Sequence, residues 1–398
     1  MPEPSVHEVK PGQPKSFEFS YGADKVIVGY GNLESGIGRF TVRLYDANQE
    51  AFSMLIDDQG MAVWQALAKG RQMFWENPID APLHREGIKL EEAMYHILNQ
   101  KECGGLGWIR GFGDAIAPCG PNFGGPTEGF ALHGDFLYLG PESLKVKYYE
   151  EGKSQCVAIQ GTAIEKDAKG KARFKITTTY IVTFGRTGFT KTVDIKNISR
   201  QPQLLEYASH DQLRPSGKSE LILPIPDDSW IVGPGEVRIK GDGKLPPYNR
   251  FLDKNRLPQE ATPEYCLFVP RVVPIQDGRA IAMLRDGDFA VTKSWDTKAS
   301  PCLTLWYMQG GWFLKNTEGT PQYPTRKVWN VIGVETGTNL PASREEKSAD
   351  KYPYRRVQTI KPGEKWRFTD GYRAYDEAAT IDGIVSKIRS KVRSQEKI

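Results

Sequence analysis

Short hydrophobic runs, rich in β-branched, aliphatic and aromatic side chains, recur along most of the chain. This composition predicts strands. Glycine, aspartate, asparagine or proline separates many of the runs, and residues 166–171 have the composition of a hairpin turn. The clearest runs are 16–21, 25–28, 39–44, 145–149, 157–164, 172–184, 191–195, 203–208 and 280–284. The pattern therefore predicts antiparallel sheet.

Helical periodicity is scarce, and it is concentrated near the end of the chain. Residues 91–98 have the pattern of a short helix. Within 375–398, apolar residues recur at helical spacing with basic residues between them: Ile381, Ile384, Val385, Ile388 and Val392. We expect a C-terminal helix that packs one apolar face on the body of the protein.

The chain has no repeat of fixed period, no low-complexity tract and no linker of distinct composition. These features favour one domain over residues 1–398, with a core at about 17–369. The polar, proline-rich stretch 241–263 reads as a long surface excursion between strands. Two interpretations of this stretch are open: a lid or partner contact, and an ordinary insertion.

Composition and charge exclude several classes of protein. Of 398 residues, 39% are hydrophobic, and no apolar run approaches the roughly 20 residues that a membrane-spanning helix needs. The 53 basic and 49 acidic residues give a net charge of +4 and are mixed along the chain, so no basic patch points to nucleic acid. Residues 1–12 lack the pattern of a signal peptide. We therefore expect a cytoplasmic protein, with a processed secreted or periplasmic form left open.

The five cysteines form no recognisable metal or disulfide pattern. They are odd in number and show no C-x-x-C spacing, which argues against a disulfide framework and a structural zinc site. We expect reduced thiols. Cys119 lies beside Gly120 in a Gly/Pro-rich loop, where a nucleophile and a small packing residue are the two interpretations, and the second is favoured.

Three segments carry candidate chemistry. Residues 108–136 combine Arg110 and His133 with a density of glycine and proline that lets the backbone approach a ligand. His210 and Glu335 each lie at or near the end of an apolar, strand-like run. A buried carboxylate without a partner is costly, so Glu335 implies either a salt bridge or a function. We predict that His133, His210 and Glu335 converge in one pocket.

Other residues have a binding interpretation beside a structural one. Trp108, Trp306 and Trp312 have the flat faces that stack on sugars, although core packing explains any one of them. Asp296, in Ser-Trp-Asp-Thr, is a candidate ligand for a hydroxyl group. Arg110 offers a planar fork of donors for hydroxyls, and a structural pair with Asp114 is its alternative.

The order of these motifs resembles the galactose mutarotase-like superfamily, which comprises the aldose 1-epimerases and their relatives. The order is Arg110, then Leu-His-Gly at 132–134, then His210, then Val-Glu-Thr at 334–336. A branch with a cysteine-containing glycine-rich loop is most similar, through residues 117–125, 305–308 and 335–338. Residues 58–62 and 74–78 are similar to the family's opening.

The resemblance spans about residues 17–369. It implies an all-β fold, a large antiparallel β-supersandwich with a few short helices and a C-terminal helix. Two positions depart from the family pattern. Thr336 follows the glutamate where proline is usual, and His210 lies in Ser-His-Asp rather than Asn-His-x-Tyr-Phe. These departures leave the identity of the sugar open.

Interconversion of sugar anomers needs a base for the proton of the anomeric hydroxyl and an acid for the ring oxygen. A carboxylate and a histidine suit those roles. The resemblance implies that Glu335 is the base, that His210 is the acid, and that His133 and Arg110 bind the sugar. Asp296 and Trp306 complete the predicted substrate-binding set. The predicted partner is a monosaccharide or modified sugar, and no metal or organic cofactor is expected.

Two further functions are open. The same sandwich carries polysaccharide lyases and glycoside-cleaving enzymes, because fold alone does not fix function. Tyr207 and Arg214 near His210 keep that alternative available. A non-catalytic carbohydrate-binding protein is the other, and it would be favoured if Glu335 and His210 faced apart.

Overall fold

A computed structural model describes residues 4–33, 36–76, 115–121, 133–167, 169–216, 219–225, 264–269, 272–309, 330–339 and 357–395. Strands dominate these residues, which confirms the predicted all-β class. Two predicted features, the helix at 91–98 and the excursion at 241–263, lie outside the described residues. In the described part, no helix has the length and apolar character needed to cross a membrane.

Twenty-two strands and one α-helix are present in the described residues. In chain order they are β1 (Ser5–Val9), β2 (Lys15–Tyr21), β3 (Asp24–Asn32), β4 (Gly38–Asp46), β5 (Gln49–Asp57), β6 (Val63–Ala68), β7 (Arg71–Gln72), β8 (Ile116–Cys119), β9 (Ser143–Glu151), β10 (Ser154–Lys166), β11 (Ala172–Thr183), β12 (Gly188–Asn197), β13 (Gln203–Leu205), β14 (Ala208–Leu213), β15 (Glu220–Ile222), β16 (Glu264–Val269), β17 (Arg279–Asp286), β18 (Phe289–Asp296), β19 (Cys302–Gln309), β20 (Asn330–Gly337), β21 (Gln358–Ile360), β22 (Lys365–Tyr375) and α1 (Ala378–Gln395). In the same residues, a 3-10 turn spans Phe136–Tyr138.

The strands form two large antiparallel sheets. The nine-stranded sheet has the order β1-β9-β10-β11-β12-β22-β18-β17-β15. The eleven-stranded sheet has the order β16-β19-β20-β14-β8-β6-β5-β4-β3-β2, with β7 paired to β6. A small sheet of β13 and β21 completes the arrangement. Neighbouring strands within each sheet are often distant in sequence, so the fold brings remote segments side by side.

The two sheets pack face to face through apolar residues at alternate positions of their strands. On β4, Phe40, Val42 and Leu44 are buried, and the residues between them are more exposed. Aromatic rings bridge the sheets: Phe52 of the eleven-stranded sheet lies 5.9 Å, centroid to centroid, from Phe189 of the nine-stranded sheet. Burial of these faces is the main favourable contribution to the sandwich.

Helix α1 covers the far side of the nine-stranded sheet. Its stripe of Ile381, Val385, Ile388 and Val392 is buried in a cluster with Met283 of β17 and other apolar residues. The predicted C-terminal helix and its apolar face are therefore confirmed, with bounds of Ala378–Gln395.

The structure corrects one predicted strand. The run 203–208 is not continuous, because β13 pairs with β21 and the chain then joins the eleven-stranded sheet as β14. At the break, the Thr338 amide donates to the Tyr207 carbonyl at 2.9 Å, and the Tyr207 amide donates to Thr338 Oγ1 at 3.1 Å. As a result, His210 lies inside β14 and not at a strand end. The predicted hairpin at 166–171 is confirmed by the bond from the Asp167 amide to the Lys171 carbonyl.

Candidate functional site

Two neighbouring strands of the eleven-stranded sheet place the candidate acid and base opposite each other. Strands β14 and β20 pair with Ser209 opposite Thr336 and Gln212 opposite Gly333. The same register puts His210 opposite Glu335. Directly opposed residues share a face of a sheet, and alternate residues face opposite ways. His210 and Glu335 therefore share one face, whereas Ser209 and Asp211 point towards the nine-stranded sheet.

The structure brings together the three residues that the sequence predicts to converge. His210 Nε2 lies 3.1 Å from Glu335 Oε1, and both side chains are buried. The His133 ring lies 5.4 Å, centroid to centroid, from the His210 ring at an interplanar angle of 65°. The Trp306 ring lies 5.9 Å from that of His210. An imidazole, a carboxylate and a second imidazole thus meet with an indole beside them.

His133 reaches this place through a tight loop that docks on β8. The Gly120 amide donates to the His133 carbonyl at 2.9 Å, and the Phe136 amide donates to the Gly120 carbonyl at 3.0 Å. His133 and Gly134 both have positive φ, at 63° and 78°. A Cβ on Gly120 would lie 2.5 Å from the Phe136 ring, so this position requires glycine. The glycine-rich segment predicted from sequence therefore holds a histidine against a strand end.

Burial keeps both imidazoles neutral near pH 7. It lowers the pKa of His133 to about 4. Burial also lowers the pKa of His210 well below 6.5, and nearby His133 and Lys293 act in the same direction. The contact between His210 and Glu335 is therefore a hydrogen bond of a neutral imidazole, and not a permanent ion pair.

A stability prediction follows from the buried His133. Between pH 6.5 and about 4, the unfolded chain binds a proton at this position and the folded chain does not. Stability contributed by neutral His133 is thus present above pH 6.5 and is lost as pH falls towards 4, by about 3 kcal/mol. Urea unfolding at pH 7 and pH 4 should show that His133→Gln removes this part of the acid destabilisation. An identical pH dependence in both proteins would contradict the assignment.

Small residues continue the site along the same face of the sheet. Ala208 lies opposite both Gly337 and Cys119, and Gly337 also lies opposite Cys302. These side chains project little above the backbone. Because they lie two residues along their strands from the level of His210 and Glu335, they form a low floor beside that pair.

A second polar pair lies beyond this floor. Asn339 Nδ2 donates to Glu206 Oε1 at 2.6 Å, and Thr338 Oγ1 donates to Asn339 Oδ1 at 2.7 Å. Glu206 and Asn339 are both buried. Sequence reasoning missed this pair, because its members are remote in the chain and only the strand pairing brings them together.

The packing interpretation of Cys119 fits the structure better than the nucleophile interpretation. Burial and the nearby Glu335 raise the pKa of the Cys119 thiol well above 9.0, so the thiolate is strongly disfavoured. The described cysteine side chains, Cys119, Cys156 and Cys302, are all buried thiols. Cys103 and the side chain of Cys266 lie outside the described part of the chain.

Trp306 lies beside the site, opposite a glycine of the neighbouring strand. It lies opposite Gly333 in the pairing of β19 and β20. A Cβ on Gly333 would lie 2.8 Å from Glu335 Oε1 and 3.0 Å from the Cβ of Trp306, so a larger residue would displace one of them. Stacking of a sugar on Trp306 remains a prediction.

The other predicted binding residues do not join this cluster in the described part of the chain. Asp296 ends β18 in the nine-stranded sheet, where its Oδ1 accepts a bond from the Lys298 amide at 2.8 Å. That bond stabilises a turn, and sugar binding by Asp296 stays a prediction. Arg110, Trp108 and Trp312 lie outside the described residues.

Tyr207 and Arg214, the residues on which the lyase alternative depended, do not lie together beside His210. Tyr207 is buried between the sheets, with its ring 4.3 Å from that of Phe368 on β22. The Arg214 guanidinium donates to the side chain of Gln72. Within the described residues, no cluster of three or more His, Cys, Asp or Glu side chains is arranged to hold a metal ion.

Comparison with known proteins identifies a family. Residues 38–373 match the model of a domain of unknown function, DUF4432. The chain belongs to this family. None of the curated proteins matches it.

Solved structures identify the fold of this DUF4432 protein. A candidate aldose 1-epimerase from Klebsiella pneumoniae superposes with a TM-score of 0.72 at 18% identity, covering 98% of this chain and 96% of that one. A galactose mutarotase-like protein from Clostridium acetobutylicum has a TM-score of 0.54 at 13% identity, covering 88% and 98%. The predicted galactose mutarotase-like supersandwich is thus confirmed. At these identities the likeness concerns the fold alone.

Proposed function

We propose that this DUF4432 protein is an aldose 1-epimerase-like isomerase that interconverts the anomers of a monosaccharide by acid–base catalysis. The observation that carries the proposal is the 3.1 Å contact between His210 Nε2 and Glu335 Oε1, with His133 beside it. The contact lies in a fold shared with a candidate aldose 1-epimerase and a galactose mutarotase-like protein. Fold likeness alone would not support an activity; the paired acid and base do.

The proposed reaction opens and recloses the sugar ring. In the reactive form of the pair, Glu335 is the carboxylate and His210 is the imidazolium. Glu335 takes the proton of the anomeric hydroxyl, while His210 gives its extra proton to the ring oxygen and becomes neutral, and the bond between C1 and that oxygen breaks. The aldehyde rotates, and the reverse transfers close the ring on its other face. No atom is gained or lost, and the pair regains its starting state after each closure.

One mobile proton shared by the pair is sufficient for this cycle. Burial opposes a charged His210, whereas the Glu335 carboxylate at 3.1 Å favours it. The two groups therefore titrate as a unit, and the proton belongs to the pair and not to either residue. In the free protein His210 is neutral, so the mobile proton passes to it from Glu335 when the ring-closed sugar is bound, and ring opening returns the proton to Glu335.

The surrounding residues supply binding in this proposal. His133 is placed to hold a sugar hydroxyl or the ring oxygen, and Trp306 to line one side of the sugar. Arg110 and Asp296 stay in the proposed binding set on the strength of the sequence alone. The cytoplasmic location is likewise a proposal.

Two observations separate this proposal from its alternatives. A lyase would be favoured by a tyrosine and an arginine beside the histidine, and Tyr207 is packed between the sheets instead. A purely binding protein would be favoured if His210 and Glu335 faced apart, and they are in hydrogen-bond contact.

Polarimetry and proton NMR on freshly dissolved pure anomers test the activity. A panel of hexoses and modified hexoses, measured with a chelator present, should include at least one sugar whose mutarotation the protein accelerates. Rates equal to the spontaneous ones across the whole panel would contradict the proposal.

A further inference from the structure

A cluster of buried charges lies in the core directly behind His210 and Glu335. Lys191, Asp211, Lys293 and Asp370 are each at most 3% exposed. Three of them come from β12, β18 and β22 of the nine-stranded sheet, and Asp211 comes from β14 of the other sheet. The cluster therefore spans the interface between the sheets, with two groups of each sign.

Hydrogen bonds and an ion pair connect three of these charges, Lys191, Asp211 and Lys293, into one network around Asp211. The Tyr372 hydroxyl donates to Asp211 Oδ2 at 2.7 Å, and the Ser209 hydroxyl donates to Asp211 Oδ1 at 2.6 Å. Lys191 Nζ donates to Ser209 Oγ at 2.8 Å. The Lys293 ammonium forms an ion pair with Asp211. Each oxygen of the Asp211 carboxylate is thus held by donors.

A network of buried charges is an energetically unfavourable way to hold two sheets together. Desolvation of a charged group costs several kcal/mol per ion, and well-packed apolar residues of similar volume often stabilise as well or better. Apolar side chains, among them Phe52, Phe189 and Trp295, form the main core between the sheets. The position of the charges therefore calls for an explanation beyond packing.

Lys293 contacts both strands of the proposed acid–base pair. It binds the carboxylate of Asp211, the residue after His210 on β14. Its Nζ also donates to the carbonyl of Val334, the residue before Glu335 on β20, at 2.8 Å. One ammonium group thus bonds to the chain neighbours of both His210 and Glu335.

We propose that Lys293 is a positioning residue: it fixes β14 and β20 at the level where His210 meets Glu335. The effect of Lys293 on catalysis rests on the proposed function, whereas its placement of the two strands does not. A difference of about 1 Å in the placement of reacting groups can change a rate about 10²-fold, which makes such a brace consequential.

The charge of Lys293 acts together with the other groups around His210. Glu335 faces it from β20, Cys119 from β8 and His133 from its loop, while Asp211 and Lys293 lie behind it. A positive charge behind His210 disfavours the imidazolium. Removing that charge should raise the titration midpoint of His210, and the unpaired Asp211 would raise it further.

The test compares Lys293→Met with Lys191→Met in the full-length chain. Lys191 is as buried as Lys293 and belongs to the same network, but it bonds to a side-chain hydroxyl and not to the backbone beside Glu335. Both variants should lose similar thermal stability. Only Lys293→Met should lower kcat, by about 10²-fold, with little change in KM. NMR titration of the His210 ring should show a larger upward shift in Lys293→Met than in Lys191→Met.

Lys293→Gln separates the two effects of Lys293, because it keeps a donor but removes the charge. It should recover part of kcat and still raise the midpoint of His210. If Lys293→Met cannot be obtained folded, Tyr372→Phe removes one donor to Asp211 and should lower kcat several-fold without changing KM. Equal kcat losses and equal titration shifts in both methionine variants, or an unchanged kcat in Tyr372→Phe, would overturn the proposal.

The titration also distinguishes failure of this inference from failure of the proposed function. If no sugar in the panel is converted, but the His210 midpoint responds to Lys293→Met and not to Lys191→Met, the role of Lys293 stands and the isomerase activity falls. If a sugar is converted and both lysine variants behave alike, the isomerase stands and the role of Lys293 falls.

Discussion

Glu335→Gln is expected to lower kcat by a factor of about 10² or more, with sugar binding retained. Glutamine keeps the shape of the side chain and its hydrogen bond to His210, but it cannot accept the proton of the anomeric hydroxyl. The loss should therefore appear in kcat and leave KM nearly unchanged. Steady-state mutarotation rates on the sugar found by the panel, together with calorimetric binding, measure the two quantities separately.

Glu165→Gln is the matched control for this substitution. Glu165 is also a buried glutamate, and it is paired with Arg173 in the nine-stranded sheet, away from the candidate site. Its substitution should lower Tm without changing kcat. If Glu335→Gln behaved like this control, with intact turnover and a lower Tm, then Glu335 would be a structural residue and the assignment of a base would be wrong.

His210→Gln should cost about as much in kcat as Glu335→Gln, and the double variant should cost little more than either. Residues that act as a unit give strongly non-additive effects, because loss of one removes the use of the other. The contact at 3.1 Å and the shared proton make His210 and Glu335 such a unit. A double-mutant cycle on kcat measures their coupling.

Additive losses in this cycle would contradict a shared proton. If each substitution reduced kcat by a certain factor and the double variant showed the product of the two factors, His210 and Glu335 would act independently. The far-UV circular dichroism of all three variants serves as the control for folding.

The sequence predicts the fold well where a local pattern controls the structure. The predicted run 39–44 falls within β4, the run 172–184 matches β11 to within one residue, and the spacing of Ile381, Val385 and Ile388 predicts the buried face of α1. His210 and Glu335 could be found because a titratable group inside an apolar run is costly and therefore informative. Their pairing itself needed the strand register.

Features that depend on the other sheet could not be predicted. Lys191 and Lys293 lie in strands with threonine or serine neighbours, a pattern also typical of a solvent-exposed face. Only the packing of the two sheets shows that these lysines point inwards, Lys191 to Ser209 and Lys293 to Asp211. The break in 203–208 was missed for the same reason, because the partners of its two halves lie far along the chain.

The most direct test of the account is exchange NMR on an equilibrated sugar with wild-type protein, Glu335→Gln and His210→Gln at equal concentration. At equilibrium, cross-peaks between the α and β anomers report interconversion without any net reaction. The account predicts strong exchange cross-peaks with the wild type and cross-peaks near the spontaneous level with both variants. Equal cross-peaks in all three samples, whether fast or spontaneous, would contradict the claim that His210 and Glu335 interconvert anomers.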